Sequence, residues 1–400
     1  GGRLLDTELR RAQAQIQTLG KPPLTVNATV TGPAGSFLQA VQDGKAPEAV
    51  KRQLAPLQID GTPTVTVSVL LPFRQKPPVV SGSVRFAGSD IHLPRYRLPL
   101  QDVHGELRFG PGGLEADKLK LSLHERPATL SVDSEALEDG GRRSHFVLLG
   151  EPDPTRLLPV TDNALLARLT GRSRWRVALS VARPEHFDLE LQSDLVGTRL
   201  KLPGPLGKTS ASSRPLRLAL AVSPQSLDAH LAMEPGLQGR LRWSREPLRL
   251  ERGELRLHAG KATLPADPGL ALIARLDTLE LGDDDTAAGS LPTTLPDWFG
   301  SLDLAIQTLE LGDYRLPDLH LRLRRDSPTL LAGNISGETA EGQLRLPLDA
   351  SQPMAAVLRW LRLPDNPGDP ATTRHPDPRR LPALDLSIEH LEFAGQPWGS

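Results

Sequence analysis

The chain has 400 residues, with 47 Lys and Arg against 48 Asp and Glu and a formal net charge of −1. This balance leaves no basic excess to collect phosphates, so nucleic acid is not expected as a partner. Cysteine is absent, which excludes a disulfide framework and thiolate chemistry. The 38 prolines and 35 glycines predict many turns, and leucine dominates the apolar positions.

Alternating apolar and polar residues predict β-strands along nearly the whole chain. Most alternations carry arginine, lysine, glutamine or histidine on the second face, which is typical of antiparallel sheets with one apolar and one wet side. Even residues 12–16, whose composition would favour a helix, alternate at period two. The clearest alternations lie at residues 65–69, 119–123, 175–179, 216–220, 319–323 and 344–346.

A few short helices are expected between these strands. Within residues 36–54, Ser36 can cap a first helix and Pro47 suits the first position of a second one. Asp162 can cap another helix near residues 162–169.

The pattern also predicts how the chain is organised. Residues 1–363 are expected to form one continuous, repetitive β region, within which residues 353–361 suit a helix or a strand. Residues 364–382 are rich in proline and lack an apolar period, which predicts a mobile loop. A further β repeat is expected to start in residues 383–400. Glycine-rich turns are predicted at residues 110–113, 139–141, 282–284 and 312–313.

One short segment recurs at strand-like spacing. Residues 16–19 and 306–309 both read Ile-Gln-Thr-Leu, residues 276–279 read Leu-Asp-Thr-Leu, and residues 388–391 read Ile-Glu-His-Leu. Repetition of this kind indicates one sheet motif laid down several times, and not a single catalytic pocket.

Catalytic and metal-binding constellations do not emerge from the sequence. His124, His258 and His320 fall on polar positions of strands, where a solvated histidine is expected. Residues 283–285 are three aspartates without the remaining ligands at EF-hand spacing, and we interpret them as an acidic turn. Nucleophile elbows, phosphate loops and dinucleotide fingerprints are absent. We therefore predict neither an enzyme activity nor a metal or cofactor.

Residues 193–208 carry the most specific resemblance to a known family. Ser-Asp-Leu-Val-Gly at 193–197, followed by Leu-Pro-Gly-Pro-Leu-Gly-Lys at 202–208, resembles a turn and loop of the YhdP family, in the AsmA-like group of Gram-negative envelope proteins. Residues 100–116, and the segments around 23–54 and 391–399, are similar to further units of that family. The matching loop residues are Asp194, Leu195, Gly197, Pro203, Pro205 and Lys208.

Two interpretations of this loop stay open. It is either a rim or partner contact, or a turn whose backbone shape Gly197 and the prolines determine. Family members are longer and carry an N-terminal membrane helix, so the chain is expected to be an internal or late fragment.

The resemblance implies a mainly β fold: a long antiparallel, repetitive, twisted sheet curled into a groove, with a few short helices. The protein would be anchored to the inner membrane, through a helix absent from this chain, and would cross the periplasm. The implied partners are phospholipid, whose acyl chains the apolar groove would carry, and outer-membrane or periplasmic proteins. The expected groove-lining residues are Val65, Val67, Leu119, Leu121, Leu218, Leu220, Leu302, Leu304 and Ile306.

The alternation by itself, without the resemblance, would favour the closed core of a β-sandwich, which has the same period of two. A second functional hypothesis comes from a different class of protein. An open sheet edge could pair with client strands, which would make the protein a scaffold or chaperone for outer-membrane protein assembly.

Overall fold

The computed structural model of the chain is mainly β, with 74% of residues in strands and 4% in helices. The predicted fold class, a long, repetitive, antiparallel sheet with few helices, is confirmed, except that three strand pairs of this mixed sheet are parallel. The structure describes residues 2–4, 7–18, 21–43, 51, 57–71, 78–93, 98–152, 168–183, 185–201, 207–281, 296–311, 314–347, 352–363, 384–393 and 395–398.

The chain divides into two compact units. Unit 1 comprises Gly1–Lys201 and Lys208–Ser223, and unit 2 comprises Leu202–Gly207 and Pro224–Ser400.

Unit 1 contains one described helix, α1, at Ala34–Asp43. Its strands are β1 (Gly2–Leu4), β2 (Thr7–Thr18), β3 (Lys21–Thr31), β4 (Gln58–Asp60), β5 (Thr64–Leu71), β6 (Val79–Leu93), β7 (Leu98–Gly110), β8 (Gly113–Leu123), β9 (Arg126–Ala136), β10 (Arg142–Gly150), β11 (Leu169–Gly171), β12 (Trp175–Arg183), β13 (His186–Ser193), β14 (Thr198–Leu200) and β15 (Leu216–Val222).

Unit 1 is an antiparallel meander in which consecutive long strands pair with each other. The hydrogen-bonded order runs β1, β2, β3, β5, β6, β7, β8, β9, β10, β12, β13 and β15. Strand β4 pairs with the far end of β6, and the short strands β11 and β14 pair separately. Short turns at residues 111–112 and 138–140 join neighbouring strands, as their glycines predict.

Unit 2 continues with eleven strands. They are β16 (Ser226–Met233), β17 (Leu237–Arg245), β18 (Leu248–Leu257), β19 (Gly269–Leu281), β20 (Phe299–Leu311), β21 (Tyr314–Ser327), β22 (Leu330–Gly337), β23 (Ala340–Pro347), β24 (Met354–Leu363), β25 (Leu384–Phe393) and β26 (Gln396–Trp398).

Each strand of unit 2 pairs with the next one along the chain, and three of these pairings are parallel. The parallel pairs are β18 with β19, β19 with β20, and β24 with β25. They occur where the connections at residues 258–268, 282–298 and 364–383 are long enough for the chain to return to the same end of the sheet. The other connections between strands of unit 2 are two to six residues long, and the strands that they join are antiparallel.

An arginine secures the start of β20 against the next hairpin. Arg325 donates hydrogen bonds to the carbonyl oxygens of Phe299 at 2.7 Å, Pro296 at 2.7 Å and Pro328 at 2.9 Å. The planar guanidinium can reach three diverging acceptors because its donors point outward in a fixed fork.

The helix predictions are confirmed in part. Helix α1 begins at Ala34, two residues before the expected Ser36 cap, because the Ser36 amide already donates to the carbonyl oxygen of Pro33 in the first turn. Leu169, expected to end a helix, instead opens strand β11. The remainder of the second and third predicted helices lies outside the described residues, apart from Lys51 and Arg168.

Other sequence predictions fall in two groups. The strands at residues 12–16 and at Leu384 are confirmed, and the segment at 353–361 is a strand, β24. The loop at 364–382 and the turns at 282–284 and 312–313 lie outside the described residues.

Candidate functional site

The strand registers of unit 1 align apolar side chains into rows that cross the sheet. Paired residues of neighbouring strands point to the same face, so the register shows which side chains lie side by side. Two such rows cross six strands, from β8 to β15. They are Leu119–Leu130–Leu148–Val177–Leu191–Leu218 and Ala116–Val132–Phe146–Leu179–Leu189–Leu220.

The earlier strands of unit 1 carry similar rows. Val65 stands between Val30 and Val84, and the row continues to Leu107 on β7. Val67 stands between Ala28 and Gly82. Leu121 lies opposite Ala128 on β9, which pairs with Gly150 on β10. The predicted residues of β5, β8 and β15 therefore all belong to rows of this kind, which we call the apolar face of unit 1.

Unit 2 has the longest rows. Each of two rows passes through ten successive strands, β16 to β25. The first is Leu231–Gly239–Leu255–Leu272–Leu302–Leu323–Gly333–Leu344–Ala356–Leu386. The second is Met233–Leu237–Leu257–Ala274–Leu304–Leu321–Ile335–Gly342–Leu358–Ile388. At about 4.8 Å per strand, this apolar face of unit 2 extends roughly 43 Å without a charged residue in either row.

The nine residues predicted to line a groove differ in burial. Leu119, Leu121 and Ile306 are only 3%, 5% and 3% exposed. The other six are half-buried and keep part of their side chains accessible: Val65, Val67, Leu218, Leu220, Leu302 and Leu304. The structure thus places all nine on apolar faces, and their role as lining stays a prediction.

The buried clusters are built within single sheets. The cluster of unit 1 around Leu119 draws its members from β6 to β10, all hydrogen-bonded neighbours. The cluster of unit 2 around Leu323 contains Phe299 and Leu331, with partly buried leucines of β19 to β23 packed against it. Neighbouring strands of one sheet therefore supply the burial, where a sandwich would combine residues of two facing sheets.

The repeated segment shifts the phase of the alternation. A regular strand puts residues three apart on opposite faces, yet Leu276 and Leu279 are both half-buried while the two residues between them are exposed. Ile388 and Leu391 behave in the same way. The copies on β19 and β20 lie side by side in parallel register, with Leu276 opposite Ile306. The segment thus keeps both apolar residues directed to the core side.

The first part of the family-motif loop, residues 193–197, is a tight turn in unit 1. The Val196 amide donates to Asp194 Oδ1 at 3.0 Å, and the Leu195 amide donates to Ser193 Oγ at 3.0 Å. Gly197 has a φ of +94°, and a Cβ atom there would lie 2.1 Å from the carbonyl oxygen of Arg172. Only glycine fits this close approach of two backbones. Pro203 and Pro205 lie outside the described residues.

Lys208, the last residue of the motif, is buried. Its side chain is 7% exposed, and Nζ donates to the carbonyl oxygens of Thr198 and Thr209, both at 2.8 Å. Burial lowers the pKa of Lys208, the nearby Arg214 lowers it further, and Asp194 opposes both. A buried ammonium that holds two carbonyls together fits the turn interpretation of the loop, although its partner-contact interpretation stays untested.

The opposite face of unit 2 is polar and carries paired charges. Asp303 Oδ1 lies 2.6 Å from an Arg275 guanidinium nitrogen and 2.9 Å from His320 Nε2, and Asp303 Oδ2 lies 3.4 Å from Arg322 Nε. Burial would raise the pKa of Asp303, but the hydrogen bonds from His320 and Arg275 outweigh it and the pKa is lowered.

Glu254 shows the same balance. It is 6% exposed, and Arg256 and the Thr263 amide donate to its carboxylate. Burial would raise the pKa of Glu254, but these hydrogen bonds outweigh it and lower the pKa. Sequence reasoning missed these charge clusters, because the spacing along the chain does not show which polar residues the register brings together.

Within the described residues, no cluster of three or more histidine, aspartate or glutamate side chains could hold a metal ion. In the same part of the chain, no helix is long and apolar enough to cross a membrane. The arrangement suits non-covalent contact with apolar groups along an extended surface.

These features define a class of protein: a repetitive β-sheet protein with an extended apolar face. The sequence model of the family described as YhdP protein matches residues 1–400. The chain belongs to the YhdP family, and so to the AsmA-like envelope proteins. Comparison with curated proteins and with solved structures finds no match.

Proposed function

We propose that this chain is a segment of a periplasmic lipid-transfer protein whose apolar faces shield phospholipid acyl chains between the inner and outer membranes. The observation that carries the proposal is the pair of uncharged rows crossing ten strands of unit 2. Leu302 and Leu304, both half-buried, stand in the middle of these rows. Such a surface offers an acyl chain continuous contact, while the opposite face stays in water.

The energetic requirement supports the same function. An acyl chain of about 16 carbons costs on the order of 13 kcal/mol in water, at about 0.8 kcal/mol per methylene. Contact with leucine and valine side chains removes much of this cost and needs no covalent step. The proposal therefore includes no enzyme activity.

The rest of the proposal concerns place and partners. Membership of the YhdP family supports the periplasm as the location, with attachment to the inner membrane by a helix outside these 400 residues. The transfer of phospholipid would sustain the permeability barrier of the outer membrane. Outer-membrane or periplasmic proteins would receive the lipid.

The test is mass spectrometry of lipid extracted from the protein after purification without detergent. Leu304→Asp should remove most of the co-purified phospholipid. An acyl chain that covers the new carboxylate would remove its water, and this costs free energy that weakens lipid binding. Gln307→Asp is the matched control, since Gln307 is exposed on the same strand. Its lipid content should equal that of the unmodified protein.

Circular dichroism verifies the fold of both variants, and Leu304→Gln replaces Leu304→Asp should the latter unfold. A folded but lipid-free unmodified protein overturns the proposal and favours a scaffold that pairs its strand edges with client strands. Equal lipid loss in the Gln307→Asp control also contradicts it.

A further inference from the structure

The polar face of unit 2 pairs several of its arginines with carboxylates. Arg242 forms a two-pronged contact with Asp228, at 2.6 and 3.0 Å, and Arg256 pairs with Glu254. The same holds for the other paired arginines of the unit: Arg275 and Arg322 with Asp303, Arg315 with Glu310, Arg359 with Glu341, and Arg362 with Glu392.

Arg324 on β21 and Arg345 on β23 differ from these paired arginines. Both are exposed, and neither makes a hydrogen bond or ion pair with any residue that the structure describes. Their cross-strand neighbours are small: Ser301 and Ala332 flank Arg324, and Ala332 and Ala355 flank Arg345. The residues placed directly opposite these two arginines therefore carry no carboxylate.

The register brings the two arginines close together. Ala332 on β22 pairs with Arg324 on one side and with Arg345 on the other. The two Cα atoms are thus two strand spacings apart, about 9.6 Å. Because the Ala332 side chain between them is small, the two guanidinium groups can both contact one ligand group bound above it.

We propose that Arg324 and Arg345 form a binding site for a phosphate group, either in a lipid headgroup or as free phosphate. Guanidinium groups bind phosphate oxygens through paired hydrogen bonds in a planar fork, and two of them can share one tetrahedral anion. Asn334 and Gln343, the next pair on the same face, lie beside the site and can supply amide donors. The site lies on the face opposite the rows proposed to hold acyl chains, so it stands independently of that function.

Asp385 is the competing charge. Asp385 on β25 pairs with Ala355 on β24 and so lies two strands from Arg345, on the side away from Arg324. Within the described residues it makes no ion pair with Arg345. Its repulsion should nevertheless weaken phosphate binding, so Asp385→Asn should strengthen it.

The experiment titrates inorganic phosphate into the 400-residue protein by calorimetry, at low ionic strength against a matched chloride titration. Arg324→Gln or Arg345→Gln should weaken binding about tenfold, the loss expected for charge-assisted hydrogen bonds. Arg240→Gln is the matched control: Arg240 is exposed and unpaired within the described residues, but it lies opposite Glu254 on β18. Its affinity should change less than twofold.

Flotation with vesicles distinguishes the source of the phosphate. Binding to vesicles that contain phosphatidylglycerol, lost in Arg324→Gln and absent with pure phosphatidylcholine, identifies a lipid headgroup. Binding of inorganic phosphate alone identifies free phosphate. Arg324→Lys, which keeps the charge but not the fork, should give intermediate affinity. The proposal is overturned if the unmodified protein binds no phosphate, or if Arg240→Gln weakens binding as much as Arg324→Gln.

Discussion

Replacement of Gly197 by alanine should destabilise unit 1 by about 3 to 4 kcal/mol. The residue has a φ of +94°, and an added Cβ would lie 2.1 Å from the carbonyl oxygen of Arg172. A left-handed conformation costs a side-chain-bearing residue roughly 1–2 kcal/mol. The backbone must also move, which breaks the hydrogen bonds from Arg172 N to Gly197 O at 3.2 Å and from Gly197 N to Ser210 O at 2.8 Å. Each such bond contributes about 1 kcal/mol.

Two further glycines separate the cost of the backbone conformation from the cost of the close contact. Gly140 has a φ of +78° but meets no atom within 4 Å, so Gly140→Ala should cost only the conformational term, roughly 1–2 kcal/mol. Gly35 lies in helix α1 with open space around it, and Gly35→Ala should stabilise the protein by about 0.5–1 kcal/mol.

Urea unfolding gives the free energy of each variant, and native-state hydrogen exchange reports the loop itself. The amides of Arg172 and Gly197 should exchange faster in Gly197→Ala and at the normal rate in Gly140→Ala. A cost for Gly197→Ala no larger than that for Gly140→Ala would refute the close approach of the two backbones. It would also remove the structural explanation for this glycine and favour a contact with a partner.

Three further predictions concern the core and the charged groups. Leu121→Ala should cost about 3 kcal/mol in urea unfolding and Leu304→Ala about 1 kcal/mol, because only Leu121 is fully buried; equal costs would contradict this difference in burial. The lowered pKa of Asp303 stabilises the fold above about pH 4 and this contribution is lost as the pH falls through the folded-state pKa. Asp303→Asn should therefore flatten the pH dependence of unfolding below about pH 4, and an unchanged slope would show that other groups dominate. Arg325→Lys should lose at least one of its three carbonyl contacts and cost about 1–2 kcal/mol in urea unfolding, with faster hydrogen exchange at residues 296–299; unchanged exchange would contradict a stabilising role of the Arg325 hydrogen bonds.

Much of the strand pattern could be predicted because alternation is a local property. Residues 119–123 and 344–346 alternate in the sequence, and the structure places them in β8 and β23. The start of α1 was wrong by two residues, because Pro33 already provides the acceptor of its first turn. The helix prediction was wrong at Leu169, because this residue pairs with Leu200 on β14 and so lies in a strand.

Some features of the candidate site also had a signal in the sequence, and others had none. The repeated segments carry a signal that could have been used: apolar residues three apart, as in Leu276 and Leu279, imply a shift of phase within a strand. The burial of Lys208 had no such signal, since a lysine after a loop normally stays in water. Its two carbonyl partners come from backbone segments that the turn folds around it.

The sequence by itself determined that the chain is mainly β, that one face of its strands is apolar, and that the apolar residues are mostly leucine and valine. These properties follow from the period of two, which neighbouring residues impose on a strand. Only the tertiary structure decided that Leu121 is sealed while Leu304 stays partly accessible, and that β19 and β20 are parallel. Burial and register depend on strands far apart in the chain, and the same alternation is compatible with many arrangements of them.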